Sequence, residues 1–378
     1  MSWSAHHRRR FELVLGAAAD VARVERAYDA EVLVSALLGS VYAVAEGDRA
    51  PAVADFAADL RLYLARRRTP DAALLRHALA AFVAGGRRPA HGPPWTAWVG
   101  TARPTGTYAD ADEYGDQTSY VATFAYPDEL AGGPEHAVVA LVDHNLGFAR
   151  DLVVAAPAAA VLSALDASPV EPAVLRAEVE RAVAATDQLA RVPGQESLVT
   201  DRALALSRLR LLPDAPPVAP EPMTGPQRAA LLERFRLAPE SQRLRGGSTA
   251  VFCLRLIFEY AESRPDRDPL RWSPTAVDLF LLDWVPRRAV LDADDVAALP
   301  TVLSAWVRWA GRVSGRTPRA VATTVAAIAG MRERFAERAG ERGPAAQAMA
   351  ELLADGVDPA DEAAVAEWLA AYNARTDS

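Results

Sequence analysis

Lysine is absent. All 41 basic residues of this 378-residue chain are arginine, so there is no ε-amine to sit on the phosphates of a P-loop, to form a Schiff base or to serve a Ser-Lys dyad. Those three chemistries are excluded. Cysteine is nearly absent as well: the one thiol, Cys253, lies inside AVFCLRLIF. A single cysteine builds neither a disulfide framework nor a cysteine-based zinc site within one chain. Its apolar flanks mark it as a small buried hydrophobe rather than a nucleophile.

Positive charge is in deficit. A formal net charge of −8 at pH 7 argues against coating nucleic acid or an acidic membrane through the overall field, and leaves only local basic faces for such contacts. Long apolar runs are missing too. LVVAAPAAAVLSAL has 14 residues with Pro157 inside it, which is short of a membrane span. In HHRRRFELVLGAAAD, Glu12 and Asp20 interrupt what would otherwise read as a signal peptide. The expectation is a cytoplasmic protein with no membrane attachment. His6 and His7, beside three arginines, read as solvated terminal residues rather than metal ligands.

What the chain does have is hydrophobic content, at 51%, enough for two or three globular units at this length. Residues 1–92 read as a helical region. Val21, Val24, Tyr28, Val32 and Leu33 recur at helical spacing, and Phe56, Leu60, Tyr63 and Leu64 repeat the pattern. Thr69, Pro70 and Asp71 supply a cap, a first-turn proline and an acidic first turn for a helix carrying Leu74, Leu75, His77 and Leu79. His77 has no second histidine one turn away, so it reads as a packed or surface residue rather than a ligand.

Residues 93–167 change character. TAWVGTA, TSYVATFAY, HAVVALVD and ARDLVVAA are short, β-branched and aromatic, and separated by turn residues, which predicts an antiparallel meander. In TSYVATFAY the face of Tyr120, Ala122, Phe124 and Tyr126 is expected to pack on the helices. Helices resume over 168–212, with a stripe of Val174, Leu175, Val179 and Val183. A proline-rich linker follows at 213–226, where six of fourteen residues are proline. Residues 227–378 read as an all-helical domain. Val277, Phe280, Leu281 and Trp284 form a core stripe in it, joined by Trp272, Trp306 and Trp309, and Pro286 is expected to stop the helix. The predicted class is α+β, predominantly helical.

The best candidate site is LVDHNLGFARD, residues 141–151. A three-residue loop Asn145-Leu146-Gly147 would pair His144 with Phe148, Asp143 with Ala149 and Leu141 with Asp151. Alternation then separates Asp143 from His144 and puts Asp143, Ala149 and Asp151 on one face. Two carboxylates on a face can hold Mg or Mn, or divide acid and base roles. Asp116, in the acidic loop YADADEYGDQ with Asp110, Asp112 and Glu113, would be a further ligand or base. His144 and Arg150 on the opposite face would take an anion. The competing reading makes Asp143 and Asn145 turn formers and Asp151 a solvated carboxylate.

Two weaker signals lie in the second half. RGGST, Arg245 to Thr249, is either an anion-attracting helix start or a glycine turn before a cap. Between Trp306 and Gly343, eight arginines face three glutamates around a turn at Gly315, which suggests a helix-turn-helix using Arg316, Arg319 and Arg332. Against that, Glu333, Glu337 and Glu341 recur at i+4 beside arginines, as on an ordinary salt-bridged surface helix.

TSYVATFAYPDELAGGPEHAVVALVDHNLGFARDLVV and RWSPTAVDLFLLDWVPRRAVLDADDVAALPTVLSAWVRWAG resemble segments of large, uncharacterised actinobacterial proteins. The resemblance spans most of residues 93–330. It implies a two-part architecture in a bacterial cytosol, and no activity, cofactor or catalytic residue. The leading functional expectation is a regulatory or protein-interaction protein whose partner is another protein or a second copy of itself. The alternatives are a metal-assisted hydrolase acting on an anionic substrate and a DNA-associated protein working through residues 306–343.

Overall fold

A computed structural model describes residues 11, 16, 18–45, 47–83, 92–190, 196–214, 220–244, 247–340, 344–359 and 361–376. The protein is α+β and predominantly helical. It divides into two compact units, one of residues 1–112 and 117–219, the other of Glu113–Asp116 and Pro220–Ser378. Each is built around its own apolar core.

The first unit begins with helices α1 (Ala27–Val44), α2 (Arg49–Ala65) and α3 (Pro70–Ala78). The Thr69 hydroxyl caps α3 as its spacing predicts, accepting from the Ala72 amide at 3.4 Å. In α1 the buried stripe is Ala27, Ala30, Glu31, Val34, Ser35, Leu38 and Tyr42, and Leu33 is exposed. The expected stripe through Val32 and Leu33 is therefore corrected. Ala27, Ala30 and Ser35 share the packed side with Val34, Leu38 and Tyr42, so a stripe drawn through large aliphatics alone is misplaced. Helix α1 is the one described helix long and apolar enough to cross a membrane, but its stripe lies in the core of this unit.

The sheet contains β1 (Arg103–Ala111), β2 (Gln117–Ala125), β3 (His136–Asp143), β4 (Phe148–Ala155) and the two-residue β5 (Ser168–Pro169), in the order β4-β3-β2-β1-β5, every pairing antiparallel. TAWVGTA, expected as the first strand, is a 3-10 turn over Pro94–Ala97 and the loop after it. The first strand is instead the proline- and glycine-bearing segment from Arg103, which pairs with β2 across an irregularity between Pro104 and Gly106. Cross-strand pairing overrides local propensity there.

One sheet face, with Tyr120, Ala122, Phe124, Val138, Ala140 and Val142, joins the helices in a single core, as the aromatic pattern predicts. The other face packs Val121 and Ala137 against Ala158 of α4 (Ala158–Ser163). Helix α5 (Pro172–Asp187) buries Leu175, Val179, Ala182 and Val183. Val174, expected in that stripe, is 48% exposed because it falls one position off the packed side.

An unpaired edge strand invites association with other chains, and β4 is covered by side chains. Thr186 Oγ1 accepts from the Ala149 amide at 2.9 Å and donates to its carbonyl at 3.0 Å. Asp201, just before α7 (Arg202–Leu209) and after α6 (Glu196–Thr200), accepts from the Val154 amide at 2.8 Å.

The second unit is helical among its described residues. It contains α8 (Gly225–Arg236), α9 (Ser248–Ser263), α10 (274–288), α11 (Ala293–Val313), α12 (Pro318–Gly340), α13 (Pro344–Ala354) and α14 (Glu362–Thr376). Capping boxes open α8 at Thr224 and α11 at Asp292. Its core holds Phe235, Phe258, Trp272, Phe280, Trp306, Trp309 and the free thiol Cys253, which burial pushes up to about 12. Helix α10 runs as Pro274–Asp278, a π segment Leu279–Trp284 and a last turn Val285–Arg288, so Pro286 does not stop it. The Val285 amide reaches back to the Phe280 carbonyl. This wider turn changes the hydrogen-bond register just before the residue that has no N–H to give.

Candidate functional site

At the β3–β4 turn, Asp143 pairs opposite Phe148, Val142 opposite Ala149, and Leu141 opposite Asp151. The loop is thus 144–147, four residues rather than the expected three, and Asp143 does not face Ala149. The cause is local. Asp143 Oδ1 accepts the amides of Asn145 at 2.9 Å and Leu146 at 3.0 Å, while the Gly147 amide donates to the Asp143 carbonyl at 2.7 Å. His144 is drawn into the turn, and an irregularity beside Arg150 absorbs the odd residue. Ala149 consequently turns into the core.

The candidate side chains are each engaged nearby. Asp143 is buried, with Oδ2 3.5 Å from the half-exposed Arg150 guanidinium. Asp151 Oδ1 accepts from Ser197 Oγ of α6 at 2.5 Å and from the Leu152 amide at 2.8 Å. His144 Nε2 lies 2.8 Å from Thr118 Oγ1. Asp116 belongs to the second unit, where it accepts from Arg271 Nη1 at 2.7 Å. The structure therefore brings Asp143 to Arg150, turns His144 toward Thr118 and places Asp116 in another unit. Asp112 accepts from the Gln117 amide at 2.7 Å, and Glu113 from Thr317 Oγ1 at 2.7 Å. Among the described residues, no group of three or more His, Cys, Asp and Glu side chains is arranged to hold a metal ion.

In the arginine-rich segment, Arg312 makes a two-pronged contact with Glu240 at 2.7 and 3.0 Å. Arg316 donates to the Glu113 carbonyl at 2.7 Å, Arg332 Nη2 lies 3.3 Å from Thr301 Oγ1, and Arg319 is exposed. His6, His7, Arg245, Gly246, Glu341 and Gly343 lie outside the described residues.

A second cluster of polar chemistry in the first unit is assembled from residues far apart in the chain. Glu31 of α1 is fully buried. Its Oε1 accepts from the Gly100 amide at 2.7 Å and its Oε2 from Tyr126 Oη at 2.8 Å and from Arg208 of α7. Arg208 also donates to Tyr126 Oη at 2.5 Å and, through Nε, to His136 Nε2 at 2.9 Å. His136 Nδ1 lies 3.1 Å from the Pro134 carbonyl. A carbonyl only accepts, so Nδ1 carries the proton and Nε2 offers its lone pair to the guanidinium. Burial, followed by the Arg208 charge, lowers His136 to about 4. Burial is the largest influence on Arg208 and would lower it, but the Glu31 carboxylate and the Tyr126 phenol together turn the net shift upward. Burial raises the Tyr126 phenol, and Glu31 adds to that.

Tyr126 and His136 are the two ends of one loop. Between them, the amides of Ala27 and Tyr28 at the start of α1 donate to the carbonyls of Ala131 at 2.9 Å and Gly132 at 2.8 Å. The Gly132 and Gly133 amides close back onto the carbonyls of Asp128 at 2.9 Å and Glu129 at 3.1 Å, and Asp128 Oδ1 accepts from the Ala131 amide at 3.0 Å. Only glycine fits at 132, where a Cβ would lie 2.3 Å from the Asp128 carbonyl oxygen. At the apex of this fastened loop Leu130 is 86% exposed, the highest value among the exposed large hydrophobics of the described residues.

The signal for this site was faint. It amounted to a glutamate on an apolar helix stripe, a histidine opening an apolar strand and an arginine inside LALSRLRLL. The arrangement can fix a backbone loop and present one apolar side chain. No protein-family model, curated protein or solved structure matches this chain.

Proposed function

We propose that the protein acts by binding another macromolecule, as a regulatory or interaction protein, and that residues 127–135 are its docking element. One observation carries this reading: the most exposed leucine among the described residues sits on a loop held at both ends by a buried ionic network. Rigid presentation lowers the entropy lost on binding, and a loop positioned by a fixed scaffold is where recognition residues concentrate. What supports this reading over a metal-assisted hydrolase is that Asp143 and Asp151 accept hydrogen bonds from their own surroundings and Asp116 is paired with Arg271.

The test is a photo-crosslinking side chain placed at 130 in the full chain, exposed to an extract of the source cells. A discrete adduct is expected, competed away by excess unlabelled wild-type chain and not by a Leu130→Asp chain. Absence of an adduct, or equal competition by both chains, would overturn the proposal.

A further inference from the structure

The surface around Leu130 carries charge of nearly one sign. Asp128 and Glu129 precede it, and Glu135 follows at the end of the loop. The backbone bonds from Ala27 and Tyr28 bring the start of α1 against the loop, and with it Glu25, Arg26 and Asp29. Glu25, Arg26, Glu129 and Glu135 are exposed. Along residues 25–29 and 127–135, five carboxylates thus stand against the one guanidinium of Arg26, with Arg103, exposed opposite Ala125, at the near end of the loop. Leu146, 50% exposed on the 144–147 loop, has the uncharged Asn145 and Gly147 as its chain neighbours.

We infer that the docking partner is a basic protein whose apolar socket, rimmed by arginine or lysine side chains, receives Leu130. This rests on the docking reading above and names the partner's chemistry. The apex supplies desolvation at the centre of the contact, where truncation is most damaging. The carboxylates at the rim speed encounter and reject acidic surfaces, an effect that weakens as salt screens it. An acidic partner, or a second copy of this loop, would meet like charge.

The experiment uses the full chain and the purified protein identified from the adduct at 130, with dissociation constants measured by calorimetry at low and high salt. Leu130→Ala should weaken binding about tenfold or more. Glu129→Arg and Glu25→Arg should each weaken it several-fold and flatten its salt dependence, while Leu146→Asp leaves it unchanged. If Leu130→Ala is damaging but salt and both charge reversals have no effect, docking stands and the basic partner is overturned. An adduct consisting of a second copy of the chain would overturn it as well. If no adduct forms at 130, the docking reading itself falls.

Discussion

A neutral imidazole that accepts a hydrogen bond from a guanidinium is an arrangement that fails in acid. His136 is held in that form, and its folded value of about 4 lies below the unfolded 6.5. Above pH 6.5 both states carry a neutral ring and the residue contributes no pH dependence. Between 6.5 and 4 the unfolded chain takes up a proton that the native state refuses, so stability declines as pH falls, and below 4 the loss levels off. The gap between those values corresponds to about 3 kcal/mol. A His136→Gln variant keeps an acceptor for Arg208 without a titrating ring. Urea unfolding between pH 4 and 7 should show a shallower decline for the variant, and identical slopes would refute this account. The same residues show what a sequence can and cannot reveal at this scale. Asp143 and Asn145 were legible as turn formers because their chemistry is local, with partners two or three positions away. Glu31 and Arg208 were not, because a pair separated by 177 positions leaves no spacing to read.

Elements were legible where one periodicity dominated and illegible where pairing or packing reversed it. The runs of β2, β3 and β4 follow alternation, and the aromatic face of β2 packs as its pattern demands. By contrast, β1 is a strand because β2 lies beside it, and α10 continues past Pro286 because a π segment precedes it. The loop before β3 belongs to this scale too. Gly133 has φ +131, and a Cβ there would lie 2.4 Å from Tyr28 Cβ. Gly133→Ala combines backbone strain with a clash against α1, at an expected cost of about 2 kcal/mol or more. Gly47 shares a positive φ, of +77, but has nothing within 4 Å of an added Cβ, so Gly47→Ala should cost only about 1 kcal/mol. Denaturant titration of the two variants tests whether the loop is as tightly seated as its hydrogen bonds indicate. Equal losses would mean that it yields.

For the whole molecule, the division after residue 219 falls inside the proline-rich stretch 213–226. The grouping of Glu113–Asp116 with the second unit was not visible. In the sequence those residues are an acidic turn, and nothing local records that Asp116 meets an arginine 155 positions later. Arg271 is buried between Asp116 and Asp266, close to Arg264, whose guanidinium burial holds below its ordinary value and whose Nη1 donates to the Arg271 carbonyl at 2.8 Å. Two adjacent buried cations depend on every nearby carboxylate, and removing one partner of a buried pair leaves the other charge inadequately solvated. Asp116→Asn keeps the shape but not the charge, and should destabilise the second unit by about 1 to 3 kcal/mol. Tryptophan fluorescence reports on that unit through Trp272, Trp306 and Trp309 in its core. A fragment of residues 220–378, lacking Asp116 and Glu113, should melt below the corresponding transition of the intact chain, with Asp116→Asn in the intact chain reproducing part of the difference. If the fragment melts with the intact chain and Asp116→Asn is neutral, Glu113–Asp116 contribute nothing to the second unit's stability and Asp266 suffices to neutralise the arginines.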